Sequence, residues 1–303
     1  MEIHEEPVSV LLCTYNRPLQ LRKALLSLSR QTIGPDRFEV IVVDDGSEER
    51  TASVCRFMKK ELPCLRFIRM ETNKGLGFAR NVAVSSAASE YLLFMDDDCL
   101  AETDWVEKMS KMLKKHSLLA GTILSTEESY IEHCHNISQF HPFMGRKRTR
   151  VVPFIPGANM GLQKSLIREM KGFNTRRRIA SEMEFILRSR VRGHKIFFTP
   201  QAGVVHMPSR RRFSDVWAHS VRHARVTILL RREYRLLLKT PWILRRPWWL
   251  LFFSPAIAFY KTMEIYLSST YLSKNFHTFP MVFLLKAAWC WGAFLGLMGK
   301  GRE

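Results

Sequence analysis

Four apolar runs in the first hundred residues are each followed by polar or acidic residues. They are VSVLLC at 8–13, FEVIVV at 38–43, LRFIRM at 65–70 and YLLFM at 91–95. Continuous apolar runs of this length are typical of parallel strands that are covered on both faces. The segments between these runs carry signals of helix starts. Asn16 is a candidate cap for a helix with Pro18 in its first turn, and the glycine-rich NKGLGFAR opens another helix. The alternation predicts an α/β fold: a mostly parallel mixed sheet with helices on both faces.

Three consecutive aspartates, Asp96, Asp97 and Asp98, directly follow the fourth apolar run. In α/β sheets ligands bind at the carboxyl ends of the strands, and TYN, DDGS and DDD all lie at such ends. Adjacent carboxylates repel one another, and the hard cations Mg²⁺ and Mn²⁺ prefer oxygen ligands. The triplet therefore indicates a divalent cation site, with a solvated turn as the alternative.

Basic residues are concentrated in the second half of the 303-residue chain, whose formal net charge is +19. Residues 1–139 contain 17 Lys and Arg against 21 Asp and Glu, whereas 140–180 contain 10 against 1 and 205–250 contain 11 against 2. A basic region of this kind needs an anionic partner, which could be nucleic acid, anionic lipid or a phosphate-bearing substrate.

The six cysteines show no CxxC pair and no regular spacing. Neither a zinc site nor a disulfide framework is therefore indicated. The first residues, MEIHEEPVSV, lack the basic and long apolar segments of a secretory leader. We expect the part that carries chemistry to lie in the reducing cytosol.

Further motifs follow the triplet: GAN at 157–159, a helix pattern SEMEFILR from 181, and two short strands predicted at 195–200 and 202–206 that end in His206. Together with VSVLLCTYNRP, EVIVVDDGS, GLGFARN and YLLFMDDD, their order resembles the family 2 glycosyltransferases, which have the Rossmann-like GT-A fold. The resemblance covers about residues 7–206, or two thirds of the chain. It implies inverting transfer of a hexosyl group from a nucleotide-sugar donor, with Mg²⁺ or Mn²⁺ at the diphosphate.

The resemblance also implies roles for individual residues. Tyr15 would lie against the nucleobase and Asp45 would bind its edge, Asp96 would face the ribose or sugar, and Asp98 and His206 would bind the metal. The full donor-binding set is Thr14, Tyr15, Asp45, Arg80, Asp96, Asp97, Gly157 and Asn159. Structural alternatives remain for several of them: core packing for Tyr15, turn chemistry for Asp45, an ion pair for Arg80, a plain turn at GAN and a satisfied histidine at 206.

The expected catalytic base departs from the family pattern. Relatives usually carry Glu-Asp at the start of the late helix, whereas this chain has Ser181 and Glu182. Glu182 keeps a carboxylate at the base position, one methylene longer, and is our candidate for deprotonating the acceptor hydroxyl. The competing interpretation is structural: Ser181 with Glu184 would form a capping box, and Glu184 with Arg188 an ion pair one helical turn apart. We assign Glu184 to structure.

The C-terminal region is basic from residue 210 and rich in aromatic residues from 242. Its apolar run at 247–260 is shorter than the roughly 20 residues a bilayer requires, and the run at 281–298 contains Lys286. Tryptophans beside arginines favour the lipid headgroup zone. The pattern predicts two membrane-embedded or interfacial helices, with a soluble helical subdomain as the alternative.

The resemblance thus implies a GT-A domain over 1–206, with a nucleotide-binding half at about 7–100 and an acceptor half at about 101–206. Residues 207–303 would form a helical membrane-associated region. The expected partners are a nucleotide-sugar donor, a glycan or lipid-linked acceptor and an anionic membrane surface at the cytoplasmic face. Two other functions stay open: an inactive membrane scaffold on the same fold, and a basic nucleic-acid-binding protein. The second is disfavoured because the basic runs match no known binding motif.

Overall fold

The computed structural model describes residues 7–145 and 148–299. The chain forms two compact units. The sheet unit comprises Met1–Leu124 and Arg146–Met207, and the helical unit comprises Ser125–Gly145 and Pro208–Glu303. The segment Ser125–Gly145 therefore groups with the C-terminal helices although it lies in the middle of the sequence.

The strands join in one mixed sheet. They are β1 (Val8–Thr14), β2 (Phe38–Asp44), β3 (Leu65–Arg69), β4 (Tyr91–Met95), β5 (Cys99–Ala101), β6 (Leu118–Ser125), β7 (Arg150–Val152), β8 (Asn159–Gln163) and β9 (Ile196–His206). Their order is β3-β2-β1-β4-β8-β6-β9-β5, with β7 also paired to β9. The first four strands pair in parallel, whereas β8 is antiparallel to β4 and β6, and β9 is antiparallel to β5 and β7. The predicted mixed α/β sheet is confirmed, and its parallel part consists of the four strands expected from the apolar runs.

Helices flank the sheet and build the second unit. They are α1 (Pro18–Leu28), α2 (Glu49–Met58), α3 (Leu76–Ser86), α4 (Trp105–Leu113), α5 (Tyr130–Phe140), α6 (Lys164–Glu169), α7 (Ser181–Val191), α8 (Phe213–Glu233), α9 (Pro247–Phe252), α10 (Ser254–Leu267), α11 (Thr270–Lys274) and α12 (Phe279–Leu297). In the sheet unit, α3 packs on β1 and β2, and the core includes fully buried side chains of β1, β2 and α1: Val10, Leu12, Val40, Leu21 and Leu25. Full burial of one such side chain contributes about 1.5–3 kcal/mol, so these side chains stabilise the parallel half.

The predicted helix caps are wrong at two places. Asn16 does not cap α1; it adopts a left-handed conformation (φ 54°), and its side-chain oxygen instead accepts a hydrogen bond from the backbone N–H of Glu48. The expected capping box at α7 is absent because Ser181 is already the first helical residue, following Ala180 at φ 59°. The predicted ion pair of Glu184 with Arg188 is confirmed, at 2.7 Å.

Strand β9 is continuous from Ile196 to His206, whereas the sequence predicted two short strands. Proline cannot donate to a β ladder, which suggested a break at Pro200. In the fold β7 pairs only with residues 196–198 and β5 only with 204–206. Pro200 lies between those two partners, so its missing N–H interrupts neither ladder.

In the helical unit, α12 packs closely against α8. Gly292 and Gly296 lie at the contact, and a Cβ on them would meet the backbone oxygens of Val221 and Arg225 respectively. The segment Ser125–Gly145 is held to the C-terminal helices by a buried hydrogen-bond chain, in which His133 contacts the Ser125 hydroxyl and the Asn275 side-chain oxygen at 3.0 Å each.

The aromatic run at 247–260 is two helices, α9 and α10, that meet at Phe253. Pro255 lies in the first turn of α10, where its missing N–H is tolerated, and this placement ends α9 before it. Within the described parts of the chain, Phe276–Leu297 is the one helical stretch long and apolar enough to cross a membrane, and 44% of its apolar window is buried inside the protein. Length and composition of one helix are weak evidence for membrane insertion.

Candidate active site

Polar side chains from several strands meet at one edge of the sheet. Thr14 ends β1, Asp45 directly follows β2, the aspartate triplet follows β4, and His206 ends β9. Because β1, β2 and β4 run in parallel, their carboxyl ends lie side by side. The backbone N–H of Asp45 donates to the carbonyl of Thr14 at 2.9 Å, which joins the loops after β1 and β2.

Asp45 holds the start of α3. One carboxylate oxygen accepts from the backbone N–H of Lys74 at 2.7 Å and the other from that of Gly75 at 2.9 Å. Gly75 has φ 91°, a left-handed conformation that favours glycine, and this turn presents its amide to the carboxylate. The two oxygens retain further lone pairs, so the predicted contact of Asp45 with a nucleobase stays a prediction.

Asp97 is anchored from two sides. The Thr14 hydroxyl donates to Asp97 Oδ2 at 2.6 Å, and Arg17 Nη1 lies 3.1 Å from Asp97 Oδ1. Burial raises the pKa of Asp97 to about 6, although Arg17 and Thr14 stabilise its ionised form. Both carboxylate oxygens serve contacts within the protein, so Asp97 fixes the triplet relative to β1.

Asp98 belongs to a buried group of potential metal ligands. The ligand atoms of Asp98, Cys99 and His206 all lie within 4.8 Å of one another, and His206 Nε2 is 3.6 Å from Asp98 Oδ1. The pairing of β5 with β9 produces this arrangement because it sets Cys99 opposite His206. A carboxylate and an imidazole suit Mg²⁺ or Mn²⁺. Burial and the neighbouring aspartates raise the pKa of the Cys99 thiol, which keeps it neutral and a poor ligand for these cations.

Arg80 links Asp96 to Glu182. Its buried guanidinium donates to Glu182 Oε2 at 2.9 Å and lies 3.6 Å from Asp96 Oδ1. Gly157 passes close by: a Cβ there would lie 3.2 Å from both Arg80 Nη2 and Glu182 Cγ. The structure thus brings Arg80, Asp96, Gly157 and Glu182 together, although they are up to about a hundred residues apart in sequence.

Two predicted donor-binding residues lie in different environments. Tyr15 follows β1 with 46% of its surface exposed, where a ligand could reach it. Asn159 is fully buried: its side-chain oxygen accepts from Trp105 Nε1, and its amide donates to the carbonyls of Thr122 and Ala202. Because every polar atom of that amide is engaged inside the protein, we assign Asn159 a structural role instead of the donor contact expected from the sequence.

Sequence analysis missed Arg17, which contacts two members of the triplet, and Ser181, whose hydroxyl lies 3.5 Å from Arg80. Arg17 directly follows a strand end in TYNRP. A cationic residue at one parallel strand end could have been paired with the acidic end of the neighbouring strand, and this signal was available in the sequence.

Two family models match the chain. The model described as glycosyl transferase family 2 matches residues 9–171, and the one described as glycosyl transferase family group 2 matches residues 91–297. Among curated relatives, the uncharacterized glycosyltransferase YfnE of Bacillus subtilis is 32% identical over 145 residues, which are 48% of this chain and 36% of YfnE. The glycosyltransferase AglE of Haloferax volcanii is 30% identical over 101 residues, 33% of each chain. The chain thus spans about a third of the length of these relatives.

Solved structures support the same fold. The mannosyltransferase PcManGT from Pyrobaculum calidifontis, in complex with GDP-Man and Mn²⁺, superposes with a TM-score of 0.68 and 17% identity over 98% of this chain and 89% of its own. Residues 1–349 of Staphylococcus aureus TarS, in complex with UDP-GlcNAc, superpose with a TM-score of 0.52 and 19% identity over 74% and 66% of the two chains. At such identities the likeness shows the fold alone.

Proposed function

Because the chain belongs to glycosyl transferase family 2, we propose that it transfers a sugar, of the hexosyl type, from a nucleotide-sugar donor to a hydroxyl group of an acceptor. The strongest support is that two sets of side chains meet at the aspartate triplet. Asp98 lies beside His206, and Asp96 lies beside Arg80, which is paired with Glu182. The first suits a cation and the second a carboxylate base. The complexes of PcManGT with GDP-Man and of TarS with UDP-GlcNAc support a nucleotide-sugar donor.

Asp98 and His206 are the residues that we propose hold Mg²⁺ or Mn²⁺. Their carboxylate and imidazole fit such an ion, and the Mn²⁺ of the PcManGT complex is consistent with this choice. A bound cation supplies Lewis-acid neutralisation of the negative charge on the departing nucleoside diphosphate. Tyr15 and Asp45 would receive the base, and Asp96 the ribose or sugar.

Glu182 is the proposed general base. Its ion pair with Arg80 at 2.9 Å favours the ionised carboxylate, which is the form that accepts a proton. The acceptor hydroxyl gives its proton to Glu182 while its oxygen bonds to the anomeric carbon. The bond from that carbon to the diphosphate oxygen breaks, and its electron pair leaves with the nucleoside diphosphate. Attack from the opposite face inverts the configuration.

We further propose that the protein works at the cytoplasmic face of a membrane on a glycan or lipid-linked acceptor. The helical unit exposes a group of aromatic side chains, here named the aromatic surface: Trp242, Trp248, Trp249, Phe252, Phe259 and Tyr260. Arg245 and Arg246 are exposed in the same stretch. Aromatic rings beside arginines suit the interface between headgroups and acyl chains.

The test is thermal melting of the purified full chain with UDP, GDP, CDP or dTDP, each with Mn²⁺, with Mg²⁺ or with a chelator. We expect one diphosphate to raise the melting temperature only with metal, because a ligand at about 100 times its Kd adds roughly 2.7 kcal/mol. Asp98→Asn should abolish this rise. Asp104→Asn, a control at a solvent-accessible ion pair with Lys108, should leave it unchanged.

A folded wild-type protein that responds to no diphosphate would overturn the proposal. A full metal-dependent response without turnover on a panel of sugars and acceptors would instead favour the inactive scaffold.

A further inference from the structure

A single nitrogen of Arg17 contacts two neighbouring aspartates. Nη1 lies 3.1 Å from Asp97 Oδ1 and 3.1 Å from Asp98 Oδ2. On the basis of the cation site in the proposed function, we propose that Arg17 competes with the divalent cation for Asp98. Arg17 releases Asp98 when a diphosphate offers its guanidinium another anionic partner. Arg17 is thus a positioning residue that makes metal binding depend on the nucleotide.

The two aspartates differ in how firmly they are held. Asp97 keeps a second short contact, because the Thr14 hydroxyl donates to its other oxygen at 2.6 Å. Among the residues that the structure describes, the other oxygen of Asp98 has a longer approach, 3.6 Å to His206 Nε2. Asp98 is therefore the partner that can be exchanged, and Asp97 the one that keeps Arg17 nearby.

The backbone of Arg17 is fixed, so the exchange must be a movement of its side chain. The preceding Asn16 donates its backbone N–H to the Ser47 hydroxyl at 2.7 Å, and the following Pro18 locks its own φ at the start of α1. The Arg17 side chain is about one third exposed, with relative exposure of 35%, which gives the guanidinium access to a ligand from solvent.

Electrostatics gives the direction of both effects. A positive charge a few ångströms from Asp98 disfavours a second cation there, and its removal should tighten metal binding by on the order of tenfold or more. The same guanidinium suits phosphate oxygens, so its removal should weaken binding of a nucleoside diphosphate. The effect of the cation on diphosphate affinity equals the effect of the diphosphate on cation affinity. Arg17→Gln should therefore reduce both effects.

The experiment uses the purified full chain as wild type, Arg17→Gln, Arg17→Lys and Arg22→Gln. Free Mn²⁺ is followed by electron paramagnetic resonance without nucleotide, and UDP and GDP binding is measured by calorimetry at saturating Mn²⁺. We expect Arg17→Gln to bind Mn²⁺ about tenfold more tightly and the diphosphate about tenfold more weakly. Arg17→Lys keeps the charge and should stay near wild type for Mn²⁺. Arg22→Gln removes a positive charge from the exposed face of the same helix and should change neither.

Unchanged or weaker Mn²⁺ binding by Arg17→Gln overturns the inference, as does an equal gain in Arg17→Lys or the absence of Mn²⁺ binding in every variant. The metal measurement needs no nucleotide. A wild type that binds Mn²⁺ through Asp98 but binds no diphosphate would therefore defeat the proposed function, while the competition by Arg17 is still decided by the metal alone.

Discussion

At the scale of single residues, Arg80 determines the position of the proposed base. Its guanidinium is held between Asp96 and Glu182 and lies over the ring of Phe173, with 5.7 Å from the guanidinium carbon to the ring centroid. The longer side chain of Glu182 is therefore not free to explore rotamers. Glu182 is thus held in one position by its ion pair with Arg80.

Substitution of Glu182 tests this arrangement. We expect Glu182→Gln to lower kcat by about 10²–10⁴-fold, because the amide cannot accept the proton. Glu182→Asp keeps a carboxylate but withdraws it from Arg80, and should lose up to about 100-fold. The measurement is steady-state turnover, with the diphosphate-induced melting shift checked in parallel. Glu61→Gln, at an exposed carboxylate, is the control, and full activity in Glu182→Gln would exclude Glu182 as the base.

Part of this site could be predicted and part could not. The residues at strand ends, such as Asp98, were predictable because the sequence marks where each strand stops. The charge of Arg17 at a strand end was also visible in the sequence, but its contact with the triplet depends on the pairing of β1 with β4, which joins residues about eighty positions apart. The buried role of Asn159 was not predictable, because it depends on Trp105, Thr122 and Ala202 reaching one amide from three separate elements.

At the scale of elements, α8 and α12 approach through two glycines one helical turn apart. Small residues at this spacing let two helix backbones come close, in membranes as well as in soluble bundles. A Cβ at Gly292 would lie 2.3 Å from the Val221 oxygen, and one at Gly296 would lie 2.5 Å from the Arg225 oxygen. The contact therefore requires the absence of side chains there.

We predict that Gly292→Ala and Gly296→Ala each destabilise the protein by about 1–3 kcal/mol through overpacking. The direction of the change in stability is informative, because Gly→Ala at an open helix position would stabilise the protein by about 1 kcal/mol. The measurement is thermal or denaturant unfolding followed by circular dichroism. Leu284→Ala, at an exposed position of α12, is the control. A gain in stability for either glycine variant would contradict the close packing.

Elements with strong local signals were predicted well, and those that depend on partners were not. Strands β1 to β4 and helix α3 follow from buried runs and glycine turns in the sequence. Strand β9 was predicted as two pieces because Pro200 looks like a break until its position between β7 and β5 is known. No helix was predicted at the position of α5, because its place depends on the buried contacts of His133 with residues outside the helix.

At the scale of the whole molecule, charge and aromatic residues are unevenly distributed. Residues 1–139 have more acidic than basic side chains, and the basic excess lies in the remainder. The aromatic surface of the helical unit lies within this basic part. Exposed aromatic rings bind a membrane by burying apolar area. Arginines are attracted by the negative potential of anionic lipids, and each arginine near the membrane surface contributes about 1 kcal/mol.

We therefore predict that the full chain cosediments with vesicles containing phosphatidylglycerol more strongly than with pure phosphatidylcholine, and that salt weakens this binding. Combined Trp248→Ala, Trp249→Ala and Phe252→Ala should lower the affinity by on the order of tenfold, since each ring contributes buried apolar area. Phe57→Ala, at an exposed ring of the sheet unit, should not. Equal binding of the triple variant and the wild type would contradict a membrane role for the aromatic surface.

The buried hydrogen bonds of the Asn159 side chain affect which parts of such a protein can change in evolution. Asn159 pairs in register with Met95, directly before the triplet, and its amide ties β8 to α4, β6 and β9. The strand beside the aspartates is thus held by neutral hydrogen bonds of a fully buried amide. The loop at 174–180 in front of α7 takes part in none of these hydrogen bonds of Asn159. Descendants could therefore change this loop without disturbing the buried amide that holds the strand beside the aspartates.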